Sequence, residues 1–297
     1  MLWLLVIPVA AFIWATFIER FLFTIKRSTI RLLPKGSKPI IVLHISDIHM
    51  APWQKAKQRW IGGLAKKVAP DLVIDTGDNL GHRRGIDPVL NSFAELRLPG
   101  VFVNGSNDLY APVITNPFSY LLSPSKRHRD ENPKSKLDIE KLNSGLEKLG
   151  WQSVNNRTQV LEIKGLKIAF LGTDDPHEGR DNLAALEKSK EITDADIRIG
   201  VTHAPYLRVL DGLAKLDVDM IFAGHTHGGQ VCWPLTGKAL VTNCDLPTKY
   251  ARGSHQITRA GKSFWLNVCA GLGNSIYAPV RLACRPEVRV ITLVSKD

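Results

Sequence analysis

The feature that most constrains this chain is a series of short apolar runs, each of which stops at a small cluster of aspartate, histidine or glycine. Residues 40–46, Ile-Ile-Val-Leu-His-Ile-Ser, read as a buried strand that runs into Asp47 and His49. Residues 72–76 read as a second strand ending at Gly77 and Asp78, and residues 101–104 as a third ending at Gly105. Helical patterning around 58–68 and 88–98 separates these runs, and strand alternating with helix predicts a parallel sheet covered on both faces. Further strands are expected at 158–163 and 166–171, joined by a Lys164-Gly165 turn, then at 197–202, 218–223, 264–270 and 288–293. No internal repeat is present, so residues 40–297 are expected to form one α/β domain with two sheets.

A chain of 297 residues, 44% hydrophobic, can bury a substantial core, which excludes disorder as the default. Its 39 Lys and Arg against 28 Asp and Glu give a net charge of +11 and favour anionic partners. Much of the excess falls at 20–38 and 126–136, so a basic collar and one basic loop fit better than a nucleic-acid groove. The stretch 124–136 is almost free of apolar residues and is expected as a surface loop or a lid. Four cysteines without a Cys-x-x-Cys pair read as buried free thiols.

Residues 1–18 carry no charge, and Glu19 and Arg20 interrupt the apolar run before Phe21-Leu22-Phe23 resumes it. A helix needs ~20 mainly apolar residues to cross the hydrocarbon core. Residues 1–25 are therefore expected to be an uncleaved membrane anchor of borderline length, followed by a basic linker at 26–39. A short amphipathic or buried helix is the alternative. Lys and Arg follow the apolar segment and none precedes it, which places the domain on the cytoplasmic side of a cell membrane.

In open α/β sheets ligands bind beyond the carboxyl ends of the strands. Here those ends carry Asp47 and His49, Asp78, Asn107, His203, and His225 and His227. Residues two apart in extended chain project to one side, so Asp47 and His49 are expected to point together, as are His225 and His227. His44 then points the other way and is expected to be structural. Imidazole, carboxylate and one amide oxygen suit Mn, Fe, Zn or Co better than Ca. With Asp78 shared, two such ions ~3.5–4 Å apart would clamp a phosphate and lower the pKa of a bridging water for in-line attack on phosphorus.

Asp47-Ile48-His49, Gly77-Asp78-Asn79, Thr202-His203-Ala204-Pro205 and Gly224-His225-Thr226-His227-Gly228-Gly229-Gln230 resemble, in order, the blocks of calcineurin-like metallophosphoesterases. The likeness spans about residues 40–295. The last block is similar to the membrane-associated branch, which includes phosphodiesterases and enzymes that hydrolyse the pyrophosphate of a nucleotide-activated lipid A precursor. The resemblance implies a sandwich of two mixed β-sheets flanked by helices, after the N-terminal apolar helix. It also implies two divalent ions, one held by Asp47, His49, Asp78 and His227, the other by Asp78, Asn107, His203 and His225. The third block departs from the family's Gly-Asn-His-Asp/Glu, because this chain has Gly105-Ser106-Asn107-Asp108. Without a gap, Ser106 stands for the metal-binding asparagine. Shifted by one residue, which is preferred, Asn107 keeps the metal and Asp108 takes the place of the catalytic histidine. Either way the histidine is absent, which favours substrates with good leaving groups such as pyrophosphates or activated diesters.

His177 and Arg180, after Asp174-Asp175-Pro176, are candidate substrate contacts, although Asp-Pro also starts turns. Trp53, Trp60 and Tyr110 would wall a substrate or simply join the core, the more frequent outcome. The expected function is metal-dependent hydrolysis of a phosphodiester or pyrophosphate bond on a phosphorylated small molecule or membrane-associated, lipid-linked substrate. The alternatives are a binding or scaffold protein that keeps the fold with weak catalysis, and a nuclease.

Overall fold

The protein is described here from a computed structural model covering residues 3–112, 135–187 and 194–297. The polar stretch expected at 124–136 lies outside the described residues up to position 134. Twelve strands follow in chain order: β1 (Thr24–Leu33), β2 (Ile40–Ile45), β3 (Leu72–Asp75), β4 (Gly100–Phe102), β5 (Trp151–Ser153), β6 (Arg157–Ile163), β7 (Leu166–Gly172), β8 (Ile197–Val201), β9 (Met220–Ala223), β10 (Gly253–Arg259), β11 (Lys262–Val268) and β12 (Glu287–Ser295). One six-stranded sheet has the order β1-β12-β2-β3-β4-β5 and the other β10-β11-β9-β8-β7-β6. Both are mixed. β2 to β5 pair in parallel and β12 runs antiparallel to β2; β7, β8, β9 and β11 pair in parallel between antiparallel edges β6 and β10.

The sheets face each other across one apolar layer. Val42, Leu72, Ile74, Val101 and Ile291 from the first sheet meet Ile168, Phe170, Ile199, Val201 and Phe222 from the second. Each such side chain, once buried, contributes about 1.5–3 kcal/mol of transfer free energy. Helices cover the outer faces. Eight α-helices are described: α1 (Trp3–Ile13), α2 (Lys55–Gly62), α3 (Leu64–Val68), α4 (Ile86–Ala94), α5 (Ser106–Leu109), α6 (Ile139–Lys148), α7 (Leu183–Glu187) and α8 (Leu207–Lys215). Ile61, Val89, Phe93 and Leu142 of α2, α4 and α6 pack on the first sheet, and Leu186, Val209 and Leu213 of α7 and α8 on the second. The helix expected at 58–68 is two, because Gly63 separates α2 from α3. The resulting four-layer arrangement puts the carboxyl ends of β2, β3, β8 and β9 on one rim, and that rim holds the site.

The basic stretch expected as a linker from residue 26 begins instead as β1, paired in parallel with β12 from Thr24 to Leu33. Its exposed positions include Lys26, Arg27 and Arg31, while Ile30, Leu32 and Leu33 are buried. The cations that suggested a linker are exposed positions on both faces of an edge strand.

The N-terminal apolar run forms α1, then a π-helical turn at Trp14–Ile18 and a 3-10 turn at Glu19–Phe21. Among the described residues, no helix is long and apolar enough to cross a membrane. The eleven residues of α1 rise roughly 16 Å, against ~30 Å of hydrocarbon. Ala15, Thr16 and Glu19 are buried on the domain, whereas Ile7, Val9, Phe12 and Phe17 are exposed.

Candidate metal centre

The loops that leave β2, β3 and β9 carry Asp47, His49, Asp78, His225 and His227, and none of these five residues is in extended backbone. Their φ values are +46°, +46°, +56°, +67° and +50°. The side-by-side projection expected from strand spacing therefore comes from a different cause. Left-handed turns, disfavoured for residues with a Cβ, fold each loop so that alternate side chains converge. Two glycines permit the approach. A Cβ on Gly105 would overlap Asp78 Oδ1, and one on Gly224 would overlap Ser46 Oγ and crowd Asp47 Oδ2.

Ligand-type atoms of Asp47, His49, Asp78 and His227 all lie within 4.8 Å of one another. His49 Nε2 stands 3.2 Å from His227 Nε2 and 3.5 Å from Asp78 Oδ2, and His227 Nε2 stands 3.4 Å from Asp47 Oδ1. On the other side of the same carboxylate, Asp78 Oδ1 lies 3.5 Å from His203 Nε2, which lies 3.4 Å from His225 Nδ1. Asp78 thus stands between two histidine pairs with one oxygen toward each. Asn107 rests against it, its backbone N–H donating to Oδ1 at 2.8 Å and its side-chain amide to Oδ2 at 2.7 Å.

Backbone carbonyls set the tautomers, since a carbonyl can only accept. His203 Nδ1 donates to Thr76 O at 2.7 Å, His227 Nδ1 to Gly273 O at 3.3 Å and His225 Nε2 to Asn243 O at 3.1 Å. Each of these imidazoles therefore carries a proton on the nitrogen turned away from the cluster. The remaining nitrogens, His203 Nε2, His225 Nδ1 and His227 Nε2, face inward. Burial lowers the pKa of His49 to about 4 and holds His225 and His227 well below the usual histidine value, so these three are neutral at pH 7. His203 moves the other way. Burial opposes its charge, but the Asp78, Asp47 and Asp175 carboxylates raise it to about 9. Asp78 is pushed up by burial yet ends below the ordinary carboxylate range because His203, His49 and Asn107 hold it. Asp47 rises to about 6, chiefly through burial. Imidazole lone pairs facing one another 3.2 Å apart repel unless a proton or a cation lies between them. The donor set, four histidines and two carboxylates with a neighbouring amide, fits borderline divalent ions.

Asp108 lies apart from these groups. Its carboxylate accepts the backbone N–H of Asp78 at 2.9 Å and Gly105 at 3.0 Å through Oδ2, and of Asn79 at 2.7 Å and Leu80 at 3.2 Å through Oδ1. It clasps the Asp78 loop to the start of α5. A carboxylate so engaged does not stand free at the position expected for the missing histidine. Ser106 is also turned away, donating to Asp175 Oδ2 at 2.6 Å. Asp175, raised to about 6 by burial, in turn accepts the His177 N–H at 2.9 Å.

His177 is buried, with its ring 4.8 Å from that of His225 and its Nδ1 2.9 Å from Tyr206 Oη. Arg180 is half-exposed and pairs with Asp174 at 2.9 Å. Trp60 packs on the helical face of the core, Trp53 is exposed beside the His82 ring, and Tyr110 is half-buried. His44 is structural, as expected, between Thr76 Oγ1 at 3.0 Å and Asn267 Nδ2 at 2.7 Å, with a pKa lowered to about 3 by burial. The four cysteines are free thiols, three of them buried.

Sequence patterning did not single out Arg281, Gly273 or Asn243. The last two act through backbone carbonyls, which no side-chain pattern encodes. Arg281 lies in an irregular segment, fully buried, and donates from Nη2 to Gly273 O at 2.6 Å and Ala270 O at 2.7 Å.

The family model for calcineurin-like phosphoesterases matches residues 40–229. The uncharacterized metallophosphoesterase YkoQ of Bacillus subtilis is 25% identical over 273 residues, 89% of this chain and 88% of that protein. A Bos taurus transmembrane protein with metallophosphoesterase domain is 25% identical over 270 residues, 88% of this chain and 54% of that protein. Among solved structures, the TT1561 protein of Thermus thermophilus aligns with a TM-score of 0.45 and 11% identity, covering 79% of this chain and 91% of that one.

Proposed function

The chain belongs to the calcineurin-like phosphoesterase family, and from that premise we propose that it hydrolyses a phosphodiester or pyrophosphate bond of a membrane-associated substrate at a dinuclear metal centre. The hydrolysis of phosphoric esters follows from the family. The finer reading rests on one observation, the position of Asp78 between the His49–His227 and His203–His225 pairs with an oxygen toward each. One ion would be held by Asp47, His49, Asp78 and His227 and the other by Asp78, His203, His225 and Asn107, whose amide would turn its oxygen inward. Bound divalent ions would supply Lewis-acid polarisation of the phosphoryl oxygens and a nucleophile from water of lowered pKa.

The residues of the chain orient this chemistry. Thr76, Gly273 and Asn243 carbonyls hold three imidazoles with their lone pairs inward, and Asp108 fixes the loop that presents Asp78. No histidine follows Gly105-Ser106 to pass a proton to the leaving oxygen. That absence supports diesters and pyrophosphates with acidic leaving groups over alkyl monoesters. His177, packed on His225, and Arg180 are proposed to line the substrate side. The exposed apolar face of α1 supports membrane association.

The test is turnover of metal-reconstituted full chain on bis(p-nitrophenyl) phosphate, p-nitrophenyl phosphate and a nucleotide-lipid pyrophosphate. Diester or pyrophosphate cleavage above monoester cleavage, abolished by Asp78→Ala, is expected. Preference for the monoester would overturn the bond assignment. The altered third block also supports a second reading, a metal-loaded scaffold, which predicts two bound ions and no cleavage of any of the three.

A further inference from the structure

Beside the N-terminal segment lies a cavity of about 710 Å³, none of whose lining residues belongs to the candidate metal centre. Lys26, Arg252, Arg285 and Arg289 line it, against Glu19 and Glu287. Both acids are already engaged. Glu19 accepts the Cys284 N–H and the Trp14 indole N–H, each at 2.8 Å, and Glu287 accepts Arg289 Nη1 at 3.2 Å. Arg252 donates to the carbonyls of Gly237 at 2.9 Å and Ala283 at 3.4 Å, neutral acceptors that leave its charge unbalanced. Lys26 and Arg285 are exposed. Lys26 also stands directly beside Arg289 in the parallel β1–β12 ladder, and like charges so placed destabilise a sheet. Glu287 offsets Arg289, and Glu19, held only by neutral donors, offsets at most one further cation, so four cations against two carboxylates leave the cavity net positive.

Apolar surface borders it on two sides. Trp14 lines the cavity and Phe12, Phe17 and Phe21 of the same N-terminal segment are exposed, while Pro234 and Gly237 line it from a loop whose Leu235 is 99% exposed and whose Trp233 is 62% exposed. A cationic pocket between two apolar lips matches a bilayer interface, where phosphate lies just outside the acyl boundary and tryptophan sits at the junction. We infer that this cavity seats the phosphate of an anionic glycerophospholipid at a bilayer surface while α1 and the 233–237 loop enter the acyl boundary. The site is separate from the hydrolytic centre, and the inference does not depend on which bond that centre cleaves.

The experiment is equilibrium binding of the full chain to phosphatidylcholine vesicles with and without phosphatidylglycerol. Preference for the anionic vesicles is expected. Lys26→Gln and Arg285→Gln should each weaken that binding about fivefold, the equivalent of ~1 kcal/mol per basic residue near the surface. Leu235→Ser should weaken binding to both vesicle types. Lys66→Gln with Lys67→Gln, a larger loss of exposed charge on α3, should leave it unchanged. Turnover of soluble bis(p-nitrophenyl) phosphate should be unaltered in every variant, which separates this site from the hydrolytic reading. Equal loss in the α3 control, indifference to Lys26→Gln and Arg285→Gln, or displacement by soluble glycerol phosphate at matched concentration would overturn the inference. Absence of vesicle binding, as for an apolar face that docks a protein partner, would overturn it as well.

Discussion

The carboxylate of Asp108 accepts the backbone N–H of Asp78 at 2.9 Å, across thirty residues of chain, and so fixes the loop that carries the carboxylate proposed to be shared by two metals. The same side chain satisfies the Gly105, Asn79 and Leu80 amides. Replacing one oxygen by an NH2 group, as in Asp108→Asn, turns a donor toward donors. A buried amide left without an acceptor costs about 1–3 kcal/mol. Asp108→Asn should therefore lower the melting temperature of the metal-free protein and weaken metal binding together. Thermal denaturation and metal titration of one preparation check this. Loss of turnover with unchanged stability and metal affinity would instead mark Asp108 as a proton donor.

His203 gives the metal-free centre a pH dependence whose sign is fixed. Its pKa is raised to about 9, so at pH 7–8 it carries a proton that a cation must displace. Apparent metal affinity should rise with pH and level off near pH 9. Addition of Zn or Mn to apo protein in weak buffer at pH 7.5 should release protons. A pH-stat titration reads both effects, and His203→Gln should reduce the released protons along with the affinity. Affinity flat from pH 7 to pH 9 would show that His203 is neutral before metal arrives.

Asn107 donates its side-chain amide to Asp78 Oδ2 at 2.7 Å, on the carboxylate proposed to be shared. Asn107→Ala should weaken the second of two metal-binding steps by roughly 10–100-fold, the range found when a ligand's support is removed, and leave the first step intact. Asn107→Asp, which keeps an oxygen at the site, should retain both. Stepwise titration by calorimetry distinguishes the two steps. If Asn107→Ala binds both ions with wild-type affinity yet loses turnover, Asn107 acts on substrate rather than on metal.

The two-sheet fold and the converging acids and histidines were legible because buried central strands such as β2, β3 and β9 are near-continuous apolar runs, and each ends in the residues that meet at the rim. β1 was not legible. It is an edge strand with Lys26, Arg27 and Arg31 exposed, and that charge obscured the buried Ile30, Leu32 and Leu33. Spacing brought Asp47 to His49 and His225 to His227 for the wrong geometric reason, since left-handed turns, not strand pleats, align them. The clasp that Asp108 makes on the Asp78 loop joins distant stretches, which a motif read along the chain does not contain. The carbonyls of Thr76, Gly273 and Asn243 were invisible for the same reason.

Arg281 links the N-terminal segment to the metal centre through one carbonyl. Its Nη2 donates to Gly273 O at 2.6 Å, the oxygen that also accepts His227 Nδ1 at 3.3 Å. Its backbone N–H is bound to Ala15 O at 3.1 Å, and Glu19 holds the Cys284 N–H three residues on. The guanidinium thereby fixes the carbonyl that sets the tautomer and direction of His227. Arg281→Met removes the side-chain donor from the buried Ala270 carbonyl, at a cost of about 1–3 kcal/mol for a stranded polar group, so the variant should melt several degrees below wild type yet remain folded at room temperature. Metal affinity on the His49–His227 side should nevertheless fall by roughly 10–100-fold, because Gly273 O is no longer held. The two readouts separate positioning from stability. Unchanged affinity in a folded Arg281→Met protein would show that the turn alone holds His227, whereas weakened affinity with wild-type turnover restored at saturating metal would show that Arg281 acts on ligand geometry and not on the substrate.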